Sequence, residues 1–396
     1  PQPEAFRAFI TGINKGYAMS NPGDETDFDE SREEATALLM KAMALEPGWA
    51  RPKLFAVYGF FTFGEPKKAT QLAKSVLEIE NVEYLDELLA RFHLADSEYR
   101  YVEAFEYAYQ AHKLAPRHTH LARWVAQAAI KCNRPHLAVE VLGKIPLDRL
   151  DPRGLTEYAT GLHLLGRFEE ELAAWREYEK LHPSPGRFFA QQGILVPLAA
   201  TGQLAEIESL FSDWGGRPRS DETLAQLYTI AAAELKAHGF SDHAFSIAAR
   251  GLEWIEDSSA VTKCTSCSAL HRLHLLDVAG SREEIPRSER EYLAGKEEGW
   301  WILAVKGVNA ARCGDTKAAR EYSELLAEEA EPYLIGQPTY IRAAIAARLG
   351  DTELAMQLLK AALTEGFPYG FGLHRDWDLE PLWDDPEFQE ILRPKG

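Results

Sequence analysis

Cys313-Gly314-Asp315-Thr316-Lys317-Ala318 and Leu349-Gly350-Asp351-Thr352-Glu353-Leu354 stand 36 residues apart and read the same way. In each, a glycine closes one apolar stretch by supplying the positive φ of a helix C-terminus, and an Asp or Thr beside it can cap the next helix. The same punctuation falls at Gly166, Gly202 and Gly239, spaced 36 and 37 residues apart. Arg167-Phe168-Glu169-Glu170 and Gln203-Leu204-Ala205-Glu206 follow the first two as polar turns into a second helix. A period of this length predicts an array of helix–turn–helix units, each too small to bury its apolar face without neighbours.

A second ruler agrees. Ala35/Leu39/Ala42/Pro47 and Ala104/Ala108/Ala111/Pro116 share one set of offsets, which recurs with substitutions at Ala69/Ala73/Val76/Asn81 and Glu171/Trp175/Tyr178/Pro183. Small residues at fixed places let the second helix of a unit lie close against its neighbours. No sustained β-branched alternation predicts strands. The pattern resembles the tetratricopeptide repeat over residues 35–367, with degenerate units and a poor fit over 257–298. The expected fold is therefore all-α: a right-handed superhelix of about nine to ten hairpins, closed by a C-terminal cap. The expected divisions are an N-terminal helix and acidic loop (1–30), the array (31–367) and the cap (368–396).

At the N-terminal end, Asn21-Pro22-Gly23 and the carboxylates Asp24, Glu25, Asp27, Asp29 and Glu30 read as a loop, and Ser31-x-x-Glu34 as a capping box opening a helix. A calcium loop starting at Asp27 fails, because Arg32 and Leu38 occupy the positions that need Gly and Glu. At the other end, Gly366-Phe367-Pro368-Tyr369-Gly370 breaks the array, and Asp385-Pro386-Glu387 starts a short helix bearing Phe388, Ile391 and Leu392. The segment from His374-Arg375-Asp376-Trp377-Asp378-Leu379 through Pro386-Glu387-Phe388 resembles the close of tetratricopeptide arrays in bacterial multidomain signalling proteins. There the array follows a serine/threonine kinase or winged-helix regulator domain, so the resemblance implies an effector domain upstream of this sequence.

With 43 Lys+Arg against 61 Asp+Glu, the 396-residue chain carries a formal charge of −18. That charge disfavours nucleic acid and anionic membranes and favours basic partners. No apolar run approaches the ~18 residues of a membrane span. Four scattered cysteines read as reduced thiols. A cytoplasmic location is expected, or a periplasmic one if a leader was removed before Pro1.

Candidate chemistry is sparse. Cys264, Cys267, His271 and His274 are zinc-ligand types, but on one helix ten residues place the outer two about 15 Å apart; a packed helix face is the expectation. His374-Arg375-Asp376 opens like a kinase catalytic loop, yet Pro381 stands where Asn is required. No phosphate loop, dinucleotide fingerprint, His-Glu-x-x-His or nucleophile elbow occurs, so neither a cofactor nor an enzymatic activity is expected. Trp300, Trp301, Trp377 and Trp383 crowd the last quarter as packing or a docking surface. In tetratricopeptide superhelices the first helix of each unit lines a concave groove. By that resemblance the binding residues are Tyr58, His93, Arg123, Gln127, Arg153, Thr160, His163, Gln192, Gln226, Trp301 and Tyr340. No unit carries the paired Asn of a carboxylate clamp. The expected function is a protein-interaction scaffold or sensor module that grips a peptide or protein segment, part of a bacterial signalling system. The competing expectation is an α/α-toroid enzyme acting on glycosides with paired carboxylates.

Overall fold

The computed structural model describes residues 1–18, 28–62, 65–181, 187–215, 221–257, 265–329 and 334–395. All regular elements among them are helical, and ten consecutive pairs account for most of the chain. The pairs are Pro3–Ala18 with Phe28–Leu45, Ala50–Thr62 with Pro66–Leu77, Tyr84–Ser97 with Tyr101–Leu114, Thr119–Lys131 with Pro135–Leu142, and Pro152–Leu164 with Phe168–Leu181. They continue as Arg187–Ala200 with Leu204–Gly215, Asp221–Ala237 with Ser241–Asp257, Thr265–Val278 with Ile285–Leu293, Trp300–Arg312 with Thr316–Ala327, and Gln337–Arg348 with Thr352–Thr364. First helices also stack on first helices, as Ala50–Thr62 does on Tyr84–Ser97 and Trp300–Arg312 on Gln337–Arg348. This is the all-α hairpin array that the period predicts.

The hairpin turns are built alike. Gly166, Gly202, Gly239, Gly280, Gly314 and Gly350 all have positive φ, between 67 and 83°. The residue after each donates its backbone N–H to a carbonyl five residues back, as in Arg167 to Leu162 at 2.9 Å and Asp351 to Ala346 at 3.0 Å. That bond closes a helix whose last carbonyls would otherwise be orphaned. Asp315 and Asp351 then cap the second helices, accepting from the N–H groups of Ala318 and Leu354 at 3.0 and 3.2 Å. Two earlier turns use the same geometry without glycine: Tyr99 (φ 62°) and Asn133 (φ 58°).

The packing ruler marks buried positions. Ala35, Leu39, Ala42, Ala69, Ala73, Val76, Ala104, Ala108 and Ala111 are all buried. Where the pattern departs, the structure compensates. Trp175 stands where Leu39, Ala73 and Ala108 stand and lies over Gly193, where a Cβ would come within 2.1 Å of the indole. Glu171, at the place of Ala35, Ala69 and Ala104, is also buried and bonds His163.

The helices differ in detail from the expectation at the start of the array and within 257–298. The second helix starts at Phe28, so Ser31 lies inside it rather than capping it, and Pro3–Ala18 packs along it as the first hairpin. The acidic residues up to Asp27 lie outside the described residues. Within 257–298, where the sequence gives no register, Thr265–Val278 and Ile285–Leu293 form a hairpin turning at Gly280. Its second helix is short and is preceded by a 3-10 turn at Arg282–Glu284.

The chain divides into two compact units, residues 1–161 with 177–189 and residues 162–176 with 190–396. In the second unit, helix Phe371–Arg375, the 3-10 turn Trp377–Leu382 and helix Pro386–Leu392 follow the last hairpin. Leu373, Leu379, Leu382 and Phe388 bury against Ala343, Ala347, Leu359 and Ala362 of that hairpin. No described helix is long and apolar enough to cross a membrane.

Candidate functional site

In the first unit, the first helices of four successive hairpins line a cleft of about 370 Å³. Ala50–Thr62 contributes Tyr58; Tyr84–Ser97 contributes Phe92, His93 and Asp96; Thr119–Lys131 contributes Arg123, Trp124, Gln127 and Lys131; Pro152–Leu164 contributes Arg153, Thr156 and Glu157. Spacings of three and four put these side chains on one face of each helix. Tyr58, His93, Arg123, Gln127 and Arg153, expected to bind from their repeat offsets, are therefore brought together here.

The cleft has an apolar wall and a cationic rim. Phe92 stacks on Trp124 at 5.5 Å, and His93 meets the same indole edge-on at 5.2 Å. The Arg123 and Arg153 guanidiniums lie 5.6 and 5.5 Å from the Tyr58 ring centre, within cation–π range. Arg123 is buried and its Nε has no hydrogen-bond partner among the described residues, whereas Arg153 is exposed. Lys131 is held by Asp96 at 2.6 Å. Burial lowers His93 to a pKa of about 4, with Arg123 and Lys131 adding to the shift against Asp96, so the imidazole is neutral at pH 7. Burial also raises Glu157 to about 7, against the pull of Arg123 and Lys131. With Lys131 neutralised by Asp96 and Glu157 only partly ionised, Arg123 and Arg153 give the cleft local positive charge.

Other first-helix residues, in the second unit, meet the chain's own C-terminal segment. Arg312 donates to Asp378 from Nε (3.0 Å) and Nη2 (2.7 Å), and Arg348 Nε donates to the same carboxylate at 2.7 Å. Asp277 accepts from Trp377 Nε1 at 2.9 Å and from Arg348 Nη2, and lies 3.5 Å from Arg312. Burial opposes charge on Asp378, but the two guanidiniums overcome it and hold the carboxyl at about 2. Neighbouring Asp376 goes the other way, raised to about 6 by burial and by Asp378, while accepting from the Tyr340 hydroxyl at 2.6 Å. A remaining cleft of about 380 Å³ is lined in part by Thr229, His274, Asn309, Arg375 and Asp376.

A separate cluster in the same unit gathers His163, Glu171, Glu234 and His238. His163 Nδ1 lies 2.9 Å from Glu171 Oε2, and its Nε2 lies 3.6 Å from Glu234 Oε2. His238 Nε2 approaches that same oxygen at 3.5 Å, while Arg375 donates to the other, Oε1, at 3.2 Å. Phe168 and Phe371 wall the rings, at 5.0 and 4.7 Å from His163. Burial raises the Glu171 pKa despite His163. For Glu234, burial acts upward too, but the facing His238, His163 and Arg375 leave it lowered.

The other expected residues stay apart. Thr160 is buried, Gln192 is half-buried and Gln226 is exposed, and none of them lines either cleft. Trp301 packs edge-on to Tyr292 at 6.3 Å with Lys296 5.5 Å from its ring, and Tyr340 is buried, stacked on Phe367 at 4.0 Å. Trp377 is buried too, so its indole serves packing. Cys264 and the Cys267 side chain lie outside the described residues; His271 and His274 share one helix. His274 stands edge-on to Trp377 at 5.5 Å, and burial followed by the Arg312 charge lowers it to about 3.

No family model matches this chain, and no curated protein matches it. Among solved structures, it is similar to the crystal structure of the P58(IPK) TPR domain at 15% identity, over 90% of this chain and 99% of that one, with a TM-score of 0.23. At that score the likeness carries no weight, and the fold rests on the chain's own hairpins and turns.

Proposed function

We propose that this chain is a protein-interaction scaffold whose first unit grips an extended peptide segment in the cleft between Tyr58 and Glu157. The observation that carries this reading is the pair of guanidiniums, Arg123 and Arg153, flanking Tyr58 beside the Phe92–Trp124 wall. Such a pair suits a carboxylate side chain, which two planar forks can hold together. The aromatic wall suits an apolar neighbour of that carboxylate, and Gln127 offers an amide to peptide backbone. The chain's net charge of −18 favours a basic partner at long range. At contact distance the Arg pair outweighs it, because salt screens charges beyond about 8 Å. The segment is therefore acidic where it enters the cleft. The closing motif of the C-terminal segment adds a place for the scaffold: a regulatory module of a bacterial signalling system, working with an effector domain.

The test is a peptide array of acidic, neutral and basic aromatic-containing segments, followed by titration of the best binder. Arg153→Glu is the informative variant, since Arg153 is exposed and its loss spares the core. Weakening by at least ~30-fold, about 2 kcal/mol, is expected for an acidic segment. Unchanged affinity, or selection of basic segments only, would overturn the reading.

A further inference from the structure

We propose that His163, Glu234 and His238 form a binding site for one divalent first-row transition metal ion, with Zn²⁺ the best fit. One ligand atom from each of the three lies within 4.8 Å of the other two. The Glu234 oxygen is central: Oε2 stands 3.6 Å from His163 Nε2 and 3.5 Å from His238 Nε2. Four ligands about 2.0–2.1 Å from a tetrahedral zinc are separated by roughly 3.3–3.4 Å, so both spacings are close to the edges of such a site. They are too long for hydrogen bonds to a carboxylate, which close to about 2.7–2.9 Å when an imidazolium donates.

The environment supports the same reading. Glu234 is buried to 1% side-chain exposure, and its Oε2 has no hydrogen-bond partner among the described residues. An orphaned buried carboxylate oxygen is costly unless something positive meets it. Arg375 holds only the other oxygen, Oε1. Glu171 fixes His163 from behind: its bond to Nδ1 selects the tautomer whose Nε2 lone pair points at Glu234, as outer-shell carboxylates do for metal-bound histidines. Two carboxylates against one guanidinium leave the pocket with a net negative charge that a dication would offset. Two imidazoles and one carboxylate suit zinc or a similar ion over Mg²⁺ or Ca²⁺, which prefer oxygen. His238 keeps 28% of its side chain exposed, which gives the ion a way in and leaves room for a water as fourth ligand. Glu234 and His238 lie four residues apart and His163 enters from the end of another helix, so the ion would tie those two elements together.

The test uses the full chain, stripped with chelator and dialysed. Titration with ZnCl₂ should give one site of micromolar affinity or tighter, and CoCl₂ should give the visible absorption of a low-coordinate cobalt site. His238→Ala and Glu234→Gln should each weaken zinc at least ~100-fold. His238→Asn, which keeps size, is compared with His238→Ala, and circular dichroism checks that each variant folds. His274→Ala, in the Cys264–His274 segment, should leave affinity unchanged. The proposal is overturned if the stripped protein binds no zinc, if the His238 and Glu234 variants bind as the parent does, or if Ca²⁺ or Mg²⁺ binds as tightly as zinc.

Discussion

In the first unit, Tyr58, Arg123 and Arg153 line an open cleft; in the second, Tyr340, Arg312 and Arg348 are bonded to Asp376 and Asp378 of the chain's own C-terminal segment. All six come from first helices of hairpins. The residues two or three before each turn repeat the contrast. Asp96 pairs with Lys131 across two successive hairpins in the first unit, and Asp277 with Arg312 and Arg348 across three in the second. First helices in both units thus carry polar side chains, and in the second unit the chain supplies their partners itself. First-helix arginines are cement in one place and line an open cleft in the other.

The sharpest way to break this comparison is to remove the cement. Asp277→Ala removes the acceptor of the Trp377 indole and one of the two carboxylates that Arg312 and Arg348 share, and loss of one partner from a buried ionic cluster costs about 3–5 kcal/mol. The second unit should melt at lower temperature and be cut by protease around residues 368–385, while peptide affinity at the first-unit cleft stays unchanged. The Arg153→Glu titration comes next and should move binding without moving the melting point.

Glu157→Gln sharpens the electrostatics of the cleft. The folded carboxyl titrates near 7 and the unfolded one near 4.5. Stability from this raised group is full below pH 4.5 and falls as pH rises to 7, because the unfolded chain releases its proton first. The variant should match the parent below pH 4.5 and exceed it above pH 7. The gain is about 1–2 kcal/mol, reduced because water reaches the half-exposed group. Equal stability at both ends, by denaturant titration, would mean that Glu157 is ordinary. The smallest effect concerns the shared turns. Gly314→Ala meets open space but forces a Cβ into φ 78°. It should cost about 1 kcal/mol in chemical unfolding.

Much of the array was legible because glycines mark turns and alanines mark close packing. Tyr99 and Asn133 hid two turns, since a side chain in the left-handed region leaves no sequence signature as plain as glycine. Five cleft residues followed from helix offsets, while Trp124, Lys131 and Glu157 did not, because their place depends on how four helices stack. Tyr340 shows the limit of offsets: they give the face of a helix but not what covers it, and here the cover lies 36 residues away in Asp376. The His163–Glu234–His238 cluster joins residues 71 and 75 positions apart in sequence. Its one local trace was the spacing of four between Glu234 and His238 at the end of one helix, a weaker pattern than His-Glu-x-x-His.

The most direct test of the central claim places a photo-crosslinking amino acid at Gln127, on the cleft wall, and separately at exposed Gln226 in the second unit. Irradiated with the best-binding acidic peptide, the Gln127 protein should capture it and the Gln226 protein should not. Capture at Gln226 alone, or at neither site with binding intact, would contradict the assignment of the open cleft as the receptor.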